Sequence, residues 1–249
     1  MQLAIITAMG VGGATIFGVL IGFLFQKIPH KFNDAILGFA GGIMLAAAIL
    51  GLIIPSLESG SIGITILGIV SGAVFLNFAD KITPHLHHIT GVDQETHSEH
   101  QDSLNKIMLF VIAIAIHNLP EGIAAGVGFG SEDVSNAITV AIGIALQNIP
   151  EGMIIVSPLV MAGVPKWRVF LIASFTGIIE IVGTLIGYSA VSVSNAILPF
   201  ALAFAGGTML YVVSDEMIPE THSHGYERLA TYSLIFGFIT MLIMDFYIG

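Results

Sequence analysis

The chain has 249 residues, 55% of them apolar and only 10% charged, with a mean hydropathy of +0.93. Soluble domains carry roughly a quarter charged residues, so this composition excludes an ordinary soluble enzyme and predicts a polytopic membrane protein. The absence of cysteine excludes a disulfide framework, a thiolate metal site and a cysteine nucleophile, and a net charge of −10 argues against nucleic-acid binding.

A bilayer core needs about 20 apolar residues per helix. Runs of that kind predict eight transmembrane helices, at about 3–25, 34–54, 61–78, 105–128, 136–161, 168–189, 197–218 and 229–248, in a single membrane domain covering 1–249. The first run has neither a basic leader nor a small-residue cleavage site and reads as a retained span. The second carries FAGGIML from Phe39 to Leu45, in which Met44 is either a packing residue or a soft metal ligand. Glu58 follows near its outer end.

After the third run comes the one long connection, about 79–104, with His85, His87, His88, His97, His100 and five acidic residues. Its spacing matches no structural zinc motif, and its polarity predicts a disordered segment that traps metal weakly.

The fourth run contains HNLPEG, from His117 to Gly122, and the fifth QNIPEG, from Gln147 to Gly152. Pro120 cannot donate to the carbonyl of Ile116, nor Pro150 to that of Leu146, so a kink and a free carbonyl are expected in each helix. His117 and Glu121 are four residues apart and share a helix face, as do Gln147 and Glu151. Asn118 and Asn148 sit one position round, about 100° away.

The sixth run adds Glu180, about twelve residues in from Arg168 and so at similar depth. The seventh carries FAGGTML, from Phe204 to Leu210, then Asp215 and Glu216. With Glu220, His222 and His224 these form an inner relay or transient metal site, the last three reading equally as a solvated helix end. Asp245, in the eighth run, lies near the outer end, where with Glu58 it either admits cations or decorates the surface.

All seven basic residues fall at odd-numbered connections: Lys27, Lys31, Lys81, Lys106, Lys166, Arg168 and Arg228. Basic residues favour the cytoplasmic side, so both termini are predicted outside and the long loop inside. The two FAGG heptads then lie on spans of opposite direction. Spans one to three therefore resemble six to eight as inverted repeats, with four and five between them. Such repeats place a substrate site near the midplane.

A carboxylate at mid-bilayer costs about 2.5–3.5 kcal/mol, and three cost about 8–10 kcal/mol. No Lys or Arg lies at that depth to offset them. Protonation is one escape. A divalent cation is the better one, because it gives the imidazole of His117 a role. Imidazole nitrogen with carboxylate and amide oxygen suits zinc, iron(II), manganese, cobalt or cadmium and disfavours copper(I).

At these residues the chain resembles the ZIP family of divalent-metal transporters, in its GufA-like branch. HNLPEG, QNIPEG, eight spans, outside termini and a His-bearing loop after the third all match. The resemblance implies a three-plus-two-plus-three bundle, usually a homodimer, in the cell (inner) membrane. Spans one, four, five and six would move against the others in an elevator-like cycle. It implies a first metal position formed by His117, Glu121, Gln147 and Glu151. A second would use Asn118, Asn148 and Glu180, with Glu121 and Glu151 bridging. Some relatives carry aspartate where Asn148 stands, which leaves this second position one carboxylate short. Many carry histidine at the position of Asp215. The implied activity is import of divalent metal, zinc first, as substrate and not as cofactor.

A rival class is an intramembrane metal-dependent hydrolase, in which Glu121 or Glu151 activates a metal-bound water. HNLPEG is not HExxH, however, and near-complete ligation leaves little open coordination. A proton-coupled organic-solute carrier is a third reading, and it gives His117 no special role.

Overall fold

In lipid the backbone of an apolar run has only itself to hydrogen-bond, and the helix is the local solution. A computed structural model, which describes residues 1–25, 28–82, 99–130 and 134–249, adopts that solution throughout, and no strand occurs among these residues. The helices are α1 (Gln2–Leu24), α2 (His30–Ser59), α3 (Ile62–Ile82), α4 (Glu99–Val127), α5 (Val134–Met161), α6 (Lys166–Val193), α7 (Leu198–Thr221) and α8 (Glu227–Ile248). Among the described residues, all of these except α4 are long and apolar enough to cross a membrane. Of the loop histidines, His85, His87, His88 and His97 lie outside the described residues, and His100 falls in the first turn of α4.

Local chemistry sets the ends. Gly163, at φ 78°, closes α5: its N–H bonds the carbonyl of Val160 while that of Val164 reaches back to Leu159. That pairing is a Schellman cap, which needs a left-handed residue that glycine supplies without strain. Pro165 then leads into α6.

Both α4 and α5 run unbroken through Pro120 and Pro150. The ladder also loosens ahead of Pro55 and Pro219. Over Ala47–Ile53 and Val213–Met217 the turns widen, so that Ile54 N–H reaches the carbonyl of Ile49 and Ile218 N–H that of Val213. A wider turn relieves the clash between a proline ring and the carbonyl four residues back. In α2 that carbonyl belongs to Gly51, and it accepts a hydrogen bond from Asn136 Nδ2 of α5 at 3.2 Å.

Glycines set the packing. Gly18 and Gly22 of α1 press on the backbone of Ile149 and Met153 in α5, while Gly183 and Gly187 of α6 press on Leu119 and Ile123 in α4. The two sets of partners are equivalent positions of the paired hexads. Likewise Gly42 of α2 meets Leu234 of α8 as Gly207 of α7 meets Ile69 of α3, and Gly237 meets Phe39 as Gly72 meets Phe204. Gly12 and Gly177 face each other. Behind these contacts stands a third sequence echo, GGATIFGVLIG (12–22) against GIIEIVGTLIG (177–187). The broadest interfaces gather α1, α4, α5 and α6 into one group and α2, α3, α7 and α8 into another, with narrower α2–α5 and α4–α7 contacts between them.

A methyl added at Gly42 would lie 2.8 Å from the Leu234 carbonyl carbon and the Phe238 nitrogen, backbone atoms that cannot yield, whereas Gly13 has nothing within 4 Å. Gly42→Ala should therefore cost about 1–3 kcal/mol and lower Tm in detergent. Gly13→Ala should hold or raise it. Circular-dichroism melting that gave both variants the same Tm would contradict this packing.

Candidate metal centre

The PEG of each hexad does two things at once. Glu121 and Glu151 project into the bundle, and the glycine that follows lets a second helix close in. Gly122 sits against the backbone of Glu180 on α6, and Gly152 against that of Thr15 on α1. The contacts are equivalent, so Thr15 occupies on α1 the place that Glu180 holds on α6.

These approaches bury a polar cluster. Asn118 and Glu121 of α4, Gln147 and Asn148 of α5, and Glu180 of α6 are each no more than 2% exposed, and His117 is 6% exposed. Glu151 is half-buried and near enough to feel the charges of Glu121, Glu180 and Glu216. The seven residues expected from the sequence are thus brought together from three helices.

Several atoms have partners that the sequence did not disclose. The Thr15 hydroxyl donates to Glu180 Oε2 at 2.7 Å, and Asn148 Nδ2 donates to the carbonyl of Val11 at 3.2 Å. His117 Nε2 lies 2.8 Å from Glu216 Oε1, which ties the cluster to the widened turn of α7. The echo between segments 12–22 and 177–187 would have pointed to Thr15; nothing in the pattern marks Val11, which offers only backbone.

Other atoms have no partner. Both amide atoms of Asn118 and of Gln147, Asn148 Oδ1, Glu121 Oε2 and Glu180 Oε1 are buried without a hydrogen bond. Each such orphan costs about 1–3 kcal/mol, and five of these seven atoms are oxygens, the acceptors that a cation would use. Among the described residues, no three His, Asp or Glu side chains stand ready to hold a metal ion. His117 Nε2 is turned to Glu216, whereas Glu180 keeps Oε1 free while its Oε2 accepts from Thr15.

The remaining expected residues lie elsewhere. Met44 is fully buried in the main apolar core. Asp215 is half-buried in the widened turn beside Glu216. His222 pairs with the carbonyl of Ile218 at 2.8 Å and with Thr231 at 3.1 Å, tying the end of α7 to α8. His224 Nδ1 lies 3.0 Å from Asp34 Oδ1, stacks on His30 and sits 4.0 Å from Glu220. Asp34 and His30 were not singled out by the sequence pattern. Glu58 is exposed, and Asp245 half-buried.

Thr15→Val should leave Glu180 Oε2 without its donor and cost about 1–3 kcal/mol, read as a lower Tm of the metal-free protein. Thr15→Ser should keep the wild-type value. A Thr15→Val protein as stable as wild type would show that the hydroxyl does not hold Glu180.

Comparison with known proteins identifies the family. The family model described as ZIP zinc transporter matches residues 94–245. Over its whole length the chain is 36% identical to the zinc transporter GufA of Myxococcus xanthus, across all of that protein. It is also 36% identical to the zinc transporter ZIPB of Bordetella bronchiseptica, over 95% of this chain and 78% of that one. With the human zinc transporter ZIP11 it shares 31% identity, over 95% of this chain and 94% of the relative. The chain belongs to the ZIP family.

Proposed function

We propose that this protein carries divalent transition-metal cations, zinc first, across the cell (inner) membrane into the cytoplasm. The observation that carries the reading is the buried cluster of imidazole, carboxylate and amide donors with its unpartnered oxygens and no basic side chain at that depth. The relatives' names as zinc transporters support it. Nitrogen and oxygen ligands without thiolate also accommodate cadmium, iron(II), manganese and cobalt. No observation favours the rival hydrolase.

In this reading the cation sheds its water onto His117, Glu121, Gln147 and Glu151. Asn118, Asn148 and Glu180, with Glu121 and Glu151 shared, form a second and weaker position. Asn148 contributes only a neutral oxygen there, because its Nδ2 is committed to Val11. The His117–Glu216 contact supplies the exit. His117 has a 7% exposed side chain and Glu216 a 30% exposed one, so a cation handed from one to the other leaves the most buried part of the cluster. Asp215, Glu220 and His224 continue that path.

The architecture proposed for this task is eight alternating spans in a three-plus-two-plus-three inverted repeat, with outside termini and two copies per assembly. The matched glycine contacts support the inverted repeat. Exchanging α1 with α6, α2 with α7, α3 with α8 and α4 with α5 converts each close pair into another close pair. The two helix groups are the bodies that would slide past each other in an elevator-like cycle.

Zinc flux into proteoliposomes should fall at least ten-fold in Glu121→Ala and Glu151→Ala, and equal flux in both variants and wild type would sink the site. In zinc-soaked crystals, anomalous scattering should give a strong peak at the first position and a weaker one at the second. Asn148→Asp should raise the second peak, and two equal peaks in the wild type would refute the weaker second position. Because the chain has no cysteine, single cysteines at Glu58 and Arg228 can report topology. An impermeant thiol reagent should label the first from outside and the second only after lysis.

A further inference from the structure

Between α2, α5 and α8 runs a cleft of about 470 Å³. Its walls are apolar: Phe32, Ile36 and Phe39 from α2, Ile149 and Met153 from α5, and Phe236 from α8. The walls belong to different helix groups, α2 and α8 to one and α5 to the other. Ile149 and Pro150 line the cleft while their neighbours Asn148 and Glu151 serve the metal centre. The cleft therefore lies behind the QNIPEG turn, in the seam across which the two groups meet.

One end of the cleft is basic. Helices α2 and α8 run parallel, since Gly38 meets Ala230 and Gly42 meets Leu234. Both therefore begin at the same end. Lys31 immediately precedes Phe32 there, and Arg228 stands one turn before the lining residue Tyr232. Both are exposed, and neither has an ion-pair partner among the described residues. An apolar slot within membrane-spanning helices, with two unpaired cations at its mouth, has the charge pattern of one molecule class.

We propose that this cleft binds an acyl chain of an acidic glycerophospholipid, whose phosphate-bearing headgroup is held by Lys31 and Arg228. The chain fills the seam behind Pro150, and a lipid seated there resists sliding of one helix group past the other. Each basic residue near the membrane surface contributes about 1 kcal/mol towards an anionic headgroup, so the pair gives roughly thirty-fold preference for an acidic over a zwitterionic lipid. The proposal needs only that the chain lies in a bilayer and is independent of the cargo.

Native mass spectrometry of the purified chain, with phosphatidylglycerol or phosphatidylcholine added in mild detergent, tests it. Wild type should retain one phosphatidylglycerol per chain and release phosphatidylcholine. The double variant Lys31→Ala, Arg228→Ala, altered only at exposed helix starts, should lose the discrimination. Ala35→Trp fills the cleft from the α2 wall and should retain neither lipid, its folding being checked by its Tm. Equal retention of both lipids by wild type, or unchanged phosphatidylglycerol on Ala35→Trp, would overturn the proposal. So would efficient cross-linking of two copies through Phe236→Cys, which would show a second chain covering the cleft. These readouts stand apart from zinc flux, so failure of the lipid site and failure of the transport reading are distinguishable.

Discussion

Everything in the candidate metal centre depends on how closely helices approach at Gly122 and Gly152. Neither position can accept even a methyl group, because the backbone of Glu180 or of Thr15 already lies where it would go. The hydrophobic effect does not drive helices together in lipid, so close packing and polar contact must. At this depth both come from the same residues. The glycines bring α6 and α1 onto α4 and α5, and the approach presents Glu180 to Glu121 and Thr15 to Glu180. Without that proximity the carboxylates would stand alone in hydrocarbon, where they are most costly.

Much of this was legible in the sequence, because lipid imposes simple rules. Apolar runs had to be helices, and polar hexads within them had to face inward. Helix bounds were less legible, since hydropathy marks where a chain leaves lipid and not where its hydrogen bonds end. Thus α2 begins at His30, ahead of its apolar run, and α4 at Glu99, within the polar stretch. A missing N–H is visible in sequence, but whether the ladder bends, widens or carries on depends on what donates to the freed carbonyl. For Gly51 the acceptor's partner is Asn136, 85 residues away.

At the site, residue types announced their chemistry but not their pairings. His117 was marked by its type, whereas its contact with Glu216 depends on α7 crossing α4 at that level. Thr15 was unmarked because a hydroxyl in a membrane helix is ordinary. It acquires meaning when segment 12–22 is aligned with 177–187, and its register against Gly152 then matches that of Glu180 against Gly122. Val11 contributes a carbonyl, which no side-chain pattern can flag.

The widened turns carry a consequence for energetics. From the phenylalanine of each FAGG heptad to the following proline is sixteen residues in α2 but fifteen in α7, and the turns themselves span seven and five residues. Under the proposed exchange of halves, identical repeats would make the outward-open and inward-open forms equal in free energy. Each place where the halves differ tilts that balance, and the extra residue ahead of Pro55 is one, as is threonine opposite glutamate at 15 and 180. On that proposal, the mismatches between the repeats would set which of the two forms the protein rests in.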